Sequence, residues 1–222
     1  MDESAGTQVA DAGPAELDGT TGVAVHSRFG RFGNAREFAR SLDSFVYVPY
    51  DPALESPSAL TIEAWLNPRA SSPASGDASI AWRWSDDANR QSWAFALARD
   101  SGRLRFTYLP AAAGAPLTFA SAGDLAAGRW THVAVTFDGE AVRFYLDGVL
   151  DAQFATRGRI RSSAAALLIG NAFDTRYLTG FEGNLRLDPL ADSGVDRAFD
   201  GSIDELRISS VARQDFPRVV SR

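Results

Sequence analysis

Short runs of alternating apolar and polar residues recur along the chain, separated by Gly, Pro and Asp-Gly pairs. Successive side chains of a strand point to opposite faces, so this spacing predicts many short β-strands. Helical periodicity is scarce. The clearest strands fall at 45–48, 60–66, 92–98, 103–109, 130–137, 142–146, 166–169 and 202–208.

Val133, Val135 and Phe137 share one face of their run, and Val142, Phe144 and Leu146 share one face of the next. Asp138-Gly139 between them supplies the positive backbone angles of a tight hairpin, and Asp147-Gly148 supplies them again before 149–154. The prediction is a three-stranded antiparallel meander. Residues 99–102 form another hairpin, joining Trp93, Phe95 and Leu97 to Leu104, Phe106 and Tyr108, each strand with one buried and one solvated face. Residues 67–78, rich in Pro, Ser, Ala and Gly, read as an exposed loop. No internal repeat or linker divides the chain.

With 222 residues, the chain has the length of one all-β sandwich, a class that runs to roughly 200–250 residues. A domain of this size buries about 70% of its unfolded surface and needs no staples, and there is no Cys to make any. The 28 acidic and 22 basic residues give a net charge of −6, and every basic residue is Arg. That balance argues against nucleic acid, whose binders carry a basic stripe. Arg157, Arg159 and Arg161 alternate and read as a solvated strand edge. No apolar run is long enough to insert in a membrane. The first residues lack the basic and apolar regions of a secretory signal, so Met1 reads as standing at a domain boundary.

The stretch 128–139, GRWTHVAVTFDG, followed by 142–148, VRFYLDG, resembles the central hairpin of laminin G-like, concanavalin A-like jelly rolls. Three further segments resemble that family in its order: 31–38, RFGNAREF; 60–66, LTIEAWL; and 199–208, FDGSIDELRI. Residues 2–7 resemble its first strand and turn, and 208–213 the end of its last strand. The resemblance implies an all-β fold of two antiparallel sheets packed face to face, with the first and last strands adjacent. One domain would span 1–216, with 217–222 as a tail. It also implies a secreted or cell-surface module within a larger parent chain, binding a glycan or an extracellular protein through rim loops, sometimes with calcium. The alternatives are a structural or adhesive spacer without a ligand site, and a glycoside hydrolase.

A retaining glycosidase needs two carboxyl groups about 5–5.5 Å apart. In 202–206 the adjacent Asp204 and Glu205 face opposite sides of a strand, which argues against an enzyme. Without Cys, only His26 and His132 remain as bases or zinc ligands; His132 reads as a ring on a sheet face hydrogen-bonded to its neighbours.

Calcium, which takes six to eight oxygen ligands, is the candidate cofactor. Asp2 and Glu3 would meet Asp204 if the first and last strands adjoin. Asp174, Asp188, Asp192 and Asp196 offer an alternative in the long segment 171–199, with Asp192 and Asp196 its foremost ligands. The other reading of all these acids is as solvated rim residues and turn caps. For a ligand, Trp82 and Trp84 share one strand face beside the polar loop carrying Asp86 and Asp87, and Tyr177 and Phe181 stand in the insertion. That insertion reads equally as a recognition surface or as a hairpin covering a sheet edge. Trp65, Trp93 and Trp130 are expected in the core.

Overall fold

The computed structural model describes residues 2–4, 6–69, 76–112, 114–181, 184–188 and 197–218. In chain order the strands are β1 (Gln8–Val9), β2 (Gly19–Thr21), β3 (His26–Phe29), β4 (Asn34–Phe38), β5 (Val46–Val48) and β6 (Leu60–Pro68). Then come β7 (Asp77–Trp84), β8 (Gln91–Ala98), β9 (Arg103–Tyr108), β10 (Leu117–Asp124), β11 (Thr131–Phe137) and β12 (Ala141–Leu146). The last are β13 (Val149–Ala155), β14 (Leu167–Ile169), β15 (Leu178–Thr179), β16 (Arg186–Leu187) and β17 (Gly201–Ser209).

Asp147 and Gly148 both take positive φ, 48° and 77°, as a two-residue hairpin requires, and Asp138-Gly139 turns β11 into β12. The meander β11-β12-β13 therefore forms as the alternation predicts. It continues into a seven-stranded sheet, ordered β13-β12-β11-β6-β17-β4-β3. The second sheet has eight strands, β1-β2-β5-β14-β7-β8-β9-β10, and β15 and β16 form a separate hairpin.

Side chains at every second position fill the space between the two large sheets. Ile62, Leu66, Val133, Val135, Phe137 and Phe144 of one sheet meet Trp93, Phe95, Leu97, Phe106 and Tyr108 of the other. Each large side chain so buried contributes about 1.5–3 kcal/mol, before the entropy of ordering it. This is the all-β antiparallel sandwich expected from the pattern.

Three expectations are corrected. β1 pairs with β2 in the eight-stranded sheet, whereas β17 lies between β6 and β4, so the first and last strands are not adjacent. Residues 2 and 3 precede any strand and dock beside β4, where Asn34 N donates to Asp2 Oδ1 (2.9 Å) and Arg36 Nη2 reaches Glu3 Oε2 (3.0 Å). Arg157, Arg159 and Arg161 lie on no strand; buried Ile160 decides that segment's path, its N–H donating to Pro57 O (2.8 Å). The 67–78 loop is shorter than expected, because β6 runs to Pro68 and β7 starts at Asp77.

Candidate functional site

The outer face of the eight-stranded sheet carries a trough whose shape follows from three local features. The first is a bulge in β7: Ser79 pairs with Ala96 and Ala81 with Phe95, so Ile80 is an extra residue. A bulge shifts side-chain parity by one. Asp77 and Trp82, five positions apart, therefore both face outward, with Trp84 beside Trp82.

The second is the small outward face of β8. Trp93, Phe95 and Leu97 point to the core, which leaves Ala94, Ala96 and Ala98 on the other side. Ala94 and Ala96 make a low floor flanked by taller residues: Trp82 pairs with Ala94 on one side, and Thr107 and Arg105 of β9 pair with Ala94 and Ala96 on the other. That face is not solvated as the alternation suggests, since the flanking side chains leave Ala96 only 2% exposed.

The third is the return of the insertion. Ser79 N donates to Arg197 O (2.9 Å), Phe199 N donates to Gly170 O (2.8 Å), and Arg99 Nη2 donates to Ala198 O (2.6 Å). Ala198 and Phe199 are fully buried, so Arg197 has an anchored backbone although it follows a long excursion. Its guanidinium carbon stands 5.1 Å from the Trp82 ring centroid.

The resulting cavity is about 120 Å³, lined by both tryptophans, the alanine floor, Asp77, Arg105, Thr107 and Arg197. Trp82 Nε1 donates to Trp84 O (2.7 Å), which holds its ring in place. Arg105 Nη1 donates to Asp77 Oδ1 (2.6 Å) and cancels that charge. Behind Trp82, Phe45, Leu168, Phe173 and Leu187 form a small second core joining the insertion to the sheet. The insertion is thus a wall of the trough as well as a cover.

Of the residues proposed from sequence, Trp82 and Trp84 come together in the trough. Asp86 and Asp87 lie in the loop after Trp84, where Asp87 Oδ1 accepts from Asn89 N (2.9 Å), and neither lines the trough. Tyr177 and Phe181 are exposed on the insertion, Phe181 to 73%, and also do not line it. Asp174 caps the short 3-10 turn Thr175–Tyr177 and accepts from Arg176, whose side-chain hydrogen bond holds the carboxyl below its usual range. Asp192 and Asp196 lie outside the described residues.

Asp2, Glu3 and Asp204, the first set proposed for calcium, accept backbone hydrogen bonds, while Asp204 Oδ1 is buried without a partner. Asp204 Oδ2 accepts from Arg31 N (2.7 Å) and Phe32 N (2.9 Å), and Asp2 accepts from Asn34 N across the same turn. Glu3 Oε1 accepts from Ala10 N (2.8 Å), and its other oxygen takes the Arg36 guanidinium, a cation already in place. Among the described residues, no three His, Asp or Glu side chains are arranged to hold a metal ion. Glu205, at a positive φ of 50°, is exposed and turned from buried Asp204, so this pair does not converge.

On the outer face of the other sheet, Trp65 is buried, under Phe32 and Arg31, and not in the central core. Trp130 is half-buried just before β11; only Trp93 of the three joins the main core. His132 packs edge-on against Trp65, with Nε2 3.4 Å from Glu63 Oε2 and Nδ1 without a partner. Burial holds its pKa down at about 4, against the upward pull of Asp147, so the ring is neutral near pH 7. Phe216 and Arg213 of the C-terminal segment cover this cluster.

Sequence reasoning missed Asp77, Ala94, Ala96, Arg105, Thr107 and Arg197. A stripe of alanines alternating with large apolar residues, beside a strand bearing two outward tryptophans, was the available signal.

None of the curated proteins matches the sequence. Among solved structures, the binding domain of Paraclostridial Mosquitocidal Protein 1 superposes with a TM-score of 0.68 at 12% identity, over 92% of this chain and 46% of that one. The chain thus spans about half of that structure. Domain 4 of AbnA, a GH43 extracellular arabinanase from Geobacillus stearothermophilus, superposes with a TM-score of 0.58 at 20% identity, over 87% of this chain and 82% of that one. A carbohydrate binding protein assigned as such in Bacteroides ovatus ATCC 8483 gives 0.52 at 19% identity, over 81% and 44%. At these identities the likeness concerns the fold. The model of the concanavalin A-like lectin/glucanases superfamily, in its Laminin_G_3 family, matches residues 41–215, and the chain belongs to that family.

Proposed function

We propose that this chain is a non-catalytic module that binds an oligosaccharide in the trough on the outer face of the eight-stranded sheet. The observation that carries the reading is the pair of outward tryptophans, Trp82 and Trp84, beside an alanine floor and an arginine wall. Sugar rings present C–H groups on one face, and these meet the electron-rich face of an aromatic ring. The guanidinium groups and Thr107 would take the hydroxyls. A few polar groups around an apolar surface are what orient a small ligand.

The acid inventory of the trough favours binding over hydrolysis. Among the described residues Asp77 is its only acid, and Arg105 engages it at 2.6 Å. Glycosidases use two carboxyl groups, roughly 5–9.5 Å apart. The arabinanase domain was solved with arabinotriose bound, which supports a saccharide ligand and a place within a larger secreted or cell-surface protein. Among the described residues no helix is long and apolar enough to cross a membrane.

The test is a glycan array with the unaltered chain, Trp84→Ala and Ala96→Leu, each with and without a chelator. Trp84→Ala removes a stacking platform and Ala96→Leu raises the floor. Both are expected to weaken the best ligand by about fivefold or more, the loss for Trp84→Ala following from ~1–3 kcal/mol for a lost aromatic stack, while the unfolding temperature of Trp84→Ala stays within a few degrees. Because guanidinium and indole groups supply the contacts, binding is expected to survive chelation. Retention of full affinity by both variants would remove the trough from the account.

A further inference from the structure

Among the described residues, Arg197 is the unbalanced charge of the trough. Asp77 neutralises Arg105, but among the described residues no carboxylate lies within ion-pair distance of Arg197, whose partner is the Trp82 ring. The described trough residues Asp77, Arg105 and Arg197 therefore sum to one positive charge, in a chain whose overall charge is −6. Its backbone is fixed by Ser79 and by buried Ala198, so the guanidinium is held over the tryptophan.

We propose, building on the saccharide reading above, that the ligand is an acidic oligosaccharide whose carboxylate pairs with Arg197. A neutral sugar seated in the trough would cover this guanidinium and strip its water without supplying an anion, and a desolvated, unpaired charge is costly. A hexuronate supplies the missing charge. It also matches the planar fork of the guanidinium, which binds a carboxylate through two parallel hydrogen bonds. The Trp84 ring stacks the neighbouring sugar, and Asp77 holds Arg105 away from competing for the same anion.

Calorimetric titration of the full chain tests this with oligogalacturonate, oligoglucuronate and oligomannuronate, the methyl ester of each, and a sulfated disaccharide. The expected result is at least one free acid binding roughly ten- to hundredfold tighter than its ester, the range a charge-assisted hydrogen bond supplies. Arg197→Gln is expected to bring that ratio close to one, through a loss of affinity for the acid several times larger than any loss for its ester. The proposal is overturned if every acid binds no better than its ester, if Arg197→Gln leaves the ratio intact, or if the sulfated sugar binds tighter than all the uronates. Esters or neutral sugars that bind as well as the acids, and depend on Trp84, would sink this inference and leave the saccharide reading standing. Failure of every sugar, acidic or neutral, would sink both.

Discussion

Trp82 and His132 show how one residue type can be read from its neighbours along the chain, and how far that goes. The two-residue spacing of Trp82 and Trp84 places both rings on one face, and they do share the trough. His132 alternates with Val133 in the same way, yet what sets its chemistry comes from afar: Trp65 of β6, Glu63 two residues before it, and Phe216 of the C-terminal segment. Its folded pKa of about 4 lies below the usual 6.5, so the unfolded chain binds the proton first. Stability from keeping the ring neutral is complete above pH 6.5 and drains away as pH falls toward 4. The gap corresponds to about 3 kcal/mol at most. Urea unfolding at pH 7 and pH 5 should show a clear loss for the unaltered chain and a flatter response for His132→Phe. Equal slopes in the two proteins would mean that the ring is not held neutral.

At the scale of elements, the Asp-Gly turns and the period-two runs reveal the strands and the meander, because those signals act over a few residues. The bulge at Ile80 leaves no such mark. It alone brings Asp77 onto the face of Trp82, and a parity count along the sequence puts them on opposite faces. Gly170 is the other element that long-range packing explains. It takes a φ of +75°, and a Cβ there would sit 2.2 Å from the ring of Phe38. Its backbone bonds both Ile80 and Phe199, which starts the insertion and receives its return. Gly170→Ala combines an unfavourable φ with overpacking, for a cost of ~3 kcal/mol. Melting should fall by roughly 6–12 °C in a domain of this size. A shift under about 2 °C would show that the corner relaxes freely.

For the whole molecule, the sandwich was legible because burial between two sheets imposes alternation on nearly every strand. The order of strands was less so: the first strand joins the eight-stranded sheet and the last the centre of the other, which no local pattern encodes. The trough is a product of that arrangement. It gathers β7, β8, β9 and the end of the insertion, so Arg197 reaches Trp82 from more than a hundred residues away in sequence, and only the two tryptophans could be picked out beforehand.

The central claim is that saccharides bind on this face, and the five tryptophans allow a direct reading of it. In a two-dimensional NMR titration with the best array ligand, the indole N–H peaks of Trp82 and Trp84 should shift in step with binding, while those of Trp65, Trp93 and Trp130 stay in place. Movement of Trp65 or Trp130 with Trp82 and Trp84 unmoved would put the ligand on the opposite sheet and contradict the account.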